Sequence, residues 1–261
     1  MNALAARRRH PAAIALLLFF GLVVVGGAYS LLAPKSAQAA APTADSVEQG
    51  RALFLANCAT CHGQNAQGTP VAPNLVGVGA AAVDFQVGTG RMPLAAPMVQ
   101  AQRQDEIRFS EDEIAAMAAY VASLAPGPAI PSEEQSSPEG GNVALGGELF
   151  RTNCAMCHNF AGAGGALTRG KYAPAIKPAS SKEIYEAMLT GPQSMPVFND
   201  ANITPENKKN IIAYLQEVQT QTNQGGMTLG NLGPVSEGMF MWIFGLGIMI
   251  AIAVWLGSKA A

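Results

Sequence analysis

Thiols and imidazoles are scarce in this chain: 261 residues hold four cysteines and three histidines. So few thiols cannot build the dense disulfide framework of a small secreted scaffold. A structural zinc site would need a second Cys/His ligand pair at finger-like distance, and neither cysteine pair is followed by one. Charge is thin as well. Asp, Glu, Lys and Arg make up 13% of the sequence, with 18 acids against 16 bases, so the basic surplus on which nucleic-acid binding depends is missing. Alternating apolar runs are few and no convincing hairpin signal occurs, which points to helices joined by long loops.

The cysteine and histidine that are present lie close together. Cys58-Ala59-Thr60-Cys61-His62 and Cys154-Ala155-Met156-Cys157-His158 use all four cysteines and two of the three histidines, leaving His10 in a basic leader. C-x-x-C-H is the spacing at which two thiols bond covalently to a haem while the next imidazole ligates its iron. Two haem c groups are therefore expected, one on Cys58 and Cys61 with His62, the other on Cys154 and Cys157 with His158. A redox dithiol, a zinc site shared by both pairs and a structural disulfide all leave the two histidines unexplained.

Both motifs sit in an internal repeat. Gly50-x-x-Leu53-Phe54-x-x-Asn57-Cys58-Ala59 aligns with Gly146-x-x-Leu149-Phe150-x-x-Asn153-Cys154-Ala155 at an offset of 96. Each copy opens with a helix whose Leu-Phe pair faces a core, and Ser46 with Gln49 reads as a capping box for the first. Each closes with another helix: Ser110 to Glu113 caps the run from Ile114 to Val121, and Thr204-Pro205 leads into Ile211 to Leu215. Tyr120 and Tyr214 hold equivalent places there and read as core. At about 80–95 residues a protein-only core is marginal, so each copy is expected to fold poorly without its porphyrin.

Between motif and closing helix the copies offer Gly88-Thr89-Gly90-Arg91-Met92-Pro93 and Gly191-Pro192-Gln193-Ser194-Met195-Pro196. A thioether is a soft, neutral ligand that favours ferrous iron and raises the potential relative to a second imidazole. Met92 and Met195 are the expected second axial ligands, with Met98 the serious competitor in the first copy, and no unused histidine offers bis-His ligation there. Two protein ligands on one iron favour outer-sphere electron transfer over peroxide or dioxygen chemistry, and no catalytic residue is assigned. Pro73 and Pro174, shortly after each motif, read either as braces for the histidine loop or as loop punctuation.

Uncharged runs from Pro11 to Pro34 and from Gly238 to Ser258 lie at the two ends. About 20 residues rising roughly 1.5 Å each match a hydrocarbon core about 30 Å thick, so both are expected to be transmembrane helices. Arg7, Arg8 and Arg9 precede the first. The positive-inside rule then places the N-terminus in the cytoplasm and exports the repeat, and an even number of spans returns the C-terminus and Lys259 inside. Trp242 and Trp255 sit where interfacial anchors of the second span would. The first run is read as a retained anchor of the plasma membrane, with signal-peptide cleavage at Ala37-Gln38-Ala39 as the alternative.

On these residues each copy resembles the class I cytochromes c. The whole layout is similar to the dihaem cytochrome c subunit of the actinobacterial menaquinol:cytochrome c reductase, the cytochrome bcc complex, most specifically over Val83 to Pro93 and Gly191 to Phe198. The resemblance implies a mainly α fold of two tandem cytochrome c-like domains flanked by an N-terminal and a C-terminal transmembrane helix. Its parts are a basic leader and helix at 1–33, a linker at 34–44, domains at 45–125 and 142–219 separated by a linker at 126–141, a linker at 220–237 and a helix at 238–258. It further implies that electrons arrive from a Rieske iron–sulfur subunit and cytochrome b, cross from one haem to the other, and leave to a haem–copper oxidase. The chain would be the electron-transfer subunit of a quinol:cytochrome c reductase and translocase, without catalysis of its own.

Three alternatives stand beside it. A dihaem subunit of a cbb-type oxidase shares the paired motifs, a dihaem peroxidase would need a releasable ligand, and a haem-based gas sensor would bind CO. Between Asp45 and Glu139 eleven acids face four bases, whereas Gly140 to Glu237 holds seven of each. The acidic first copy reads as a dock for a basic partner or as a solvated face. The Pro/Gly-rich stretch from Ala125 to Gly141 and the Gln/Gly-rich one from Gln219 to Pro234 read as mobile joints.

Overall fold

The computed structural model describes residues 11–32, 43–220, 229 and 234–259. Arg7, Arg8 and Arg9, the Ala37-Gln38-Ala39 site and most of the 220–237 linker lie outside the described residues. Contacts divide the chain into Met1–Gln38 and Ala39–Ala261. The first unit holds α1, Pro11–Leu32, a helix of 22 residues. Among the described residues its apolar stretch is Ala12–Ala28, shorter than the C-terminal one at Val235–Lys259.

Two helical lobes make up the bulk of the second unit. The first contains α2 (Ala44–Asn57), α3 (Ala59–His62), α4 (Ala80–Gly88) and α5 (Glu111–Leu124). A short α6 (Glu133–Ser136) follows, and then α7 (Val143–Asn153), α8 (Ala155–His158), α9 (Ser181–Thr190) and α10 (Pro205–Thr220) of the second lobe. α5 starts where Ser110 and Glu113 exchange side-chain and backbone hydrogen bonds, with three acids in its first turn against the positive end of the helix dipole. α10 starts where the Thr204 hydroxyl accepts from Asn207 N at 3.3 Å, with Pro205 at the first helical position. The cap of α2 differs from expectation. Thr43, three residues ahead of Ser46, accepts from the Ser46 backbone at 3.2 Å, so the helix begins earlier than the Ser46/Gln49 pattern indicated.

The repeat is explained by how its helices cross. α2 lies on α5 in one lobe and α7 on α10 in the other, and at each crossing a glycine lets the backbones touch. A Cβ on Gly50 would stand 1.9 Å from the Ala116 carbonyl oxygen, and one on Gly146 would stand 1.9 Å from that of Asn210. Four residues on, Phe54 packs its ring 5.3 Å from Tyr120, and Phe150 packs 5.6 Å from Tyr214. All four rings are buried, as the reading of the tyrosines as core requires.

Two features depart from the sequence reading. A two-residue hairpin, β1 (Gly165–Ala166) with β2 (Tyr172–Ala173), pairs antiparallel, too short for alternation to betray it. Residues 126–141 are also more structured than their composition indicated: Ala81 N donates to Pro128 O at 3.1 Å, and Ser132 with Gln135 forms a capping box for α6. At the C-terminal end α11 (Pro234–Met241), a π-helical stretch (Trp242–Leu246) and α12 (Gly247–Lys259) run on. Together they give a 25-residue apolar helix, Val235–Lys259, long enough to cross a membrane.

Candidate functional site

Each C-x-x-C-H motif is a single helical turn. α2 ends at Asn57, whose side-chain amide donates back to Leu53 O at 2.9 Å, and α7 ends identically with Asn153 on Leu149 O at 2.9 Å. His62 N then bonds Cys58 O at 2.9 Å, and His158 N bonds Cys154 O at 2.9 Å, so the thiols and the imidazole are held on one turn.

The imidazoles are fixed in the same way in both lobes. His62 Nδ1 lies 2.8 Å from Pro73 O, and His158 Nδ1 lies 3.0 Å from Pro174 O. A carbonyl only accepts, so Nδ1 carries the proton and Nε2 keeps its lone pair, the tautomer a metal-ligating histidine needs. Pro73 and Pro174 therefore brace the histidine loops through their carbonyls, which decides between the two readings of these prolines. Burial holds the pKa of His158 below the usual histidine range, against the opposing Pro174 hydrogen bond, and the neutral ring that results is the ligating form.

Burial, with the neighbouring cysteine adding to it, pushes Cys58 up to about 11 and Cys154 likewise up to about 11. A dithiol built for exchange has the reverse, a first cysteine with lowered pKa.

The second lobe contains a cavity of about 380 Å³ that brings its candidate residues together. Cys154, Cys157, His158 and Met195 all line it, with Phe150 and Leu215 among its apolar walls. That combination fits a haem: an apolar slot, two thiols, and a nitrogen and a sulfur donor within one enclosure. In the first lobe His62 is buried, and Met92 and Cys58 both pack against the cluster of Val87, Ile114 and Met117. Met98, the rival ligand, is 57% exposed.

Sequence reasoning missed where part of the second cavity comes from. Phe85, Arg91, Ala101 and Arg103, all of the first lobe, contribute to its wall. The signal available was a length difference: sixteen residues separate Pro93 from Ser110, whereas seven separate Pro196 from Thr204. The extra loop reaches across. Gln100 Nε2 donates to Tyr172 O at 2.7 Å while Tyr172 N donates to Gln100 Oε1 at 2.8 Å. Ala101 N donates to Gln193 Oε1 at 3.0 Å, and Gln193 Nε2 returns a bond to Ala101 O at 2.8 Å. Ion pairs flank these amides, Arg103 with Glu183 at 2.8 Å and Lys182 with Asp84 at 2.5 Å.

Comparison with known proteins agrees with the division into lobes. Residues 47–125 match the family model "Cytochrome c", and residues 141–215 match "Cytochrome C oxidase, cbb3-type, subunit III". Proteins described as "Cytochrome bc1 complex cytochrome c subunit" are similar over nearly the whole chain. That of Corynebacterium diphtheriae is 44% identical over 97% of this chain and 95% of its own length. The one from Mycobacterium bovis is 44% identical over 97% and 92%, and the one from Mycobacterium leprae 45% identical over 94% and 87%.

Proposed function

Because the chain belongs to the family of cytochrome bc1 complex cytochrome c subunits, we propose that it is the membrane-anchored dihaem electron carrier of a quinol:cytochrome c reductase. Cys58 and Cys61 hold one haem c, with His62 and Met92 as axial ligands. Cys154 and Cys157 hold the other, with His158 and Met195. Haem supplies a site at which one electron is stored and released without bond making. The chain holds each imidazole as the Nδ1–H tautomer, places a thioether in the same cavity as the attachment turn, and walls that cavity with apolar side chains. The gathering of Cys154, Cys157, His158 and Met195 around one cavity carries the proposal.

Electrons enter from the Rieske iron–sulfur and cytochrome b subunits and leave to a haem–copper oxidase, with both lobes on the extracytoplasmic face of the plasma membrane. Val235–Lys259 is one anchor and the 22-residue uncharged α1 the other; the cationic flank ahead of α1 then keeps both termini in the cytoplasm. Tethering two carriers on one chain makes the exchange between them intramolecular. The oxidase name of the model matching residues 141–215 reflects a shared type of domain, since the relatives that align over the full length are bc1 complex subunits.

The test is spectroscopic and biochemical. The oxidised protein should show the weak near-infrared absorption of sulfur-bound ferric iron, and Met92→Ala and Met195→Ala should each remove about half of it. Absence of that band, or its persistence in both variants, rejects the axial assignment. Cytochrome b and a Rieske protein should co-purify from mildly solubilised membranes, and recovery with oxidase subunits alone rejects the reductase assignment.

A further inference from the structure

Arg91 is 8% exposed, and its Nη1 is buried without a hydrogen-bond partner. A buried guanidinium lacking one of its bonds is costly, and the unmade bond calls for a partner. Its surroundings in the protein do not complete it. The guanidinium lies 4.8 Å over the Phe85 ring. Nearby Glu183 is engaged elsewhere, one carboxylate oxygen accepting from Arg103 at 2.8 Å and from the Ser180 backbone at 2.8 Å.

The direction of the side chain is the informative part. Met92 packs on the first-lobe cluster of Val87, Ile114 and Met117, whereas its neighbour Arg91 lines the cavity of the second lobe with His158 and Met195. The backbone that separates them is pinned. Met92 N donates to Gln86 O at 2.9 Å, Gln104 N to Thr89 O at 3.2 Å, and Gly90 adopts φ +66 against Gln104, where a Cβ would come within 2.8 Å of that side chain. Arg91 and Arg103 against Glu183 leave a surplus of positive charge at the cavity wall.

We infer that Arg91 is a positioning residue for the haem of the other lobe, its free Nη1 binding a propionate carboxylate of the second-lobe haem across the lobe boundary. The inference rests on the proposed function, since it needs a haem in the second cavity. A carboxylate is the anion whose geometry the planar guanidinium fork matches, and the haem periphery supplies it. Removing this cation takes away positive charge that opposes oxidation of the second-lobe iron, so its potential falls. The residue beside one haem's sulfur ligand thus sets the field at the other haem.

The experiment uses the full chain, haem-loaded and detergent-solubilised, in wild-type form and as Arg91→Gln, Arg91→Lys and Lys182→Gln. Redox titration followed by paramagnetic NMR reads each haem's potential separately, and resonance Raman reads the propionate bending bands. R91Q should lower the second-lobe potential and shift its propionate band, with sulfur-to-iron absorption intact in both lobes. R91K should restore most of the potential. K182Q, which breaks an ion pair between the lobes without touching the cavity, should change neither. Unchanged potentials in R91Q, a shift confined to the first-lobe haem, or equal shifts in R91Q and K182Q overturn the inference while leaving the haem assignment standing. Should R91Q fail to accumulate, R91K is read instead: lysine keeps the charge but not the guanidinium fork, so its propionate band should shift while the potential holds, and an unshifted band has the same overturning force. Lack of covalent haem or of sulfur ligation in the wild type rejects the earlier reading instead.

Discussion

Gly50 and Gly146 show how a residue can be legible in position and illegible in purpose. Both stand out in the repeat, yet nothing in the sequence says that a carbonyl will lie 1.9 Å from where a Cβ would go. Gly146→Ala forces backbone against backbone, with no flexible side chain to yield, and is expected to destabilise the second lobe by about 3 kcal/mol. Thermal unfolding of the holoprotein followed by near-ultraviolet dichroism measures it, and an unchanged midpoint would contradict the crossing. Lys208 is the opposite case. In the sequence it belongs to a polar stretch of α10, yet it is wholly buried, donating to Asp200 at 2.6 Å and to Ile203 O at 2.8 Å. Lys208→Ala orphans a buried carbonyl and leaves a void, for a loss of about 2–3 kcal/mol by the same assay. Helical periodicity could not find it, because a lysine at a core-facing position becomes intelligible only with its two acceptors in view. The cysteines and histidines, by contrast, stand out at once, because both C-x-x-C-H runs are contiguous in sequence and each folds as one helical turn.

Between elements, the contact of α4 with α9 joins the lobes and carries an acid in an unusual state. Burial, then the hydrogen bond and the charge of Asp84, push Glu186 from 4.5 up to about 10. Its carboxyl is therefore neutral near pH 7, with Lys182 pairing Asp84 beside it. A group whose pKa is raised on folding stabilises fully below its unfolded pKa and loses that contribution as pH climbs toward the folded one. Stability should therefore decline from about pH 4.5 to about pH 10. Glu186→Gln keeps an uncharged donor in place, and its unfolding midpoint should be higher at neutral pH and flatter across that window. A wild-type profile that rises over the window would refute the assignment. The α4–α9 pairing was invisible in the sequence, where its partners lie about a hundred positions apart; α4 is apolar nearly all round, but that pattern does not name what covers it. The capping boxes at Ser110 and Ser180 are local, three residues in span, and the first of them was read correctly for that reason.

At the scale of the molecule, the two lobes read as beads on a string and are instead clasped. Reciprocal amide bonds from Gln100 and Gln193, together with the ordered segment at 126–141, replace the free joint that proline and glycine content indicated. Composition reports backbone freedom, not what a loop docks onto, so the extra residues after Pro93 gave only their length as a clue. Gln100→Ala combined with Gln193→Ala should raise hydrogen exchange across Gln100 to Arg103 by tenfold or more while leaving α7 and α10 protected. Unaltered exchange in that loop would mean the clasp contributes little. The borrowed wall also bears on whether the lobes can be separated. Residues 142–219 taken alone would leave the second-lobe cavity open to water on the side that Phe85, Arg91, Ala101 and Arg103 now wall, so the second copy of the repeat cannot be excised as a closed unit.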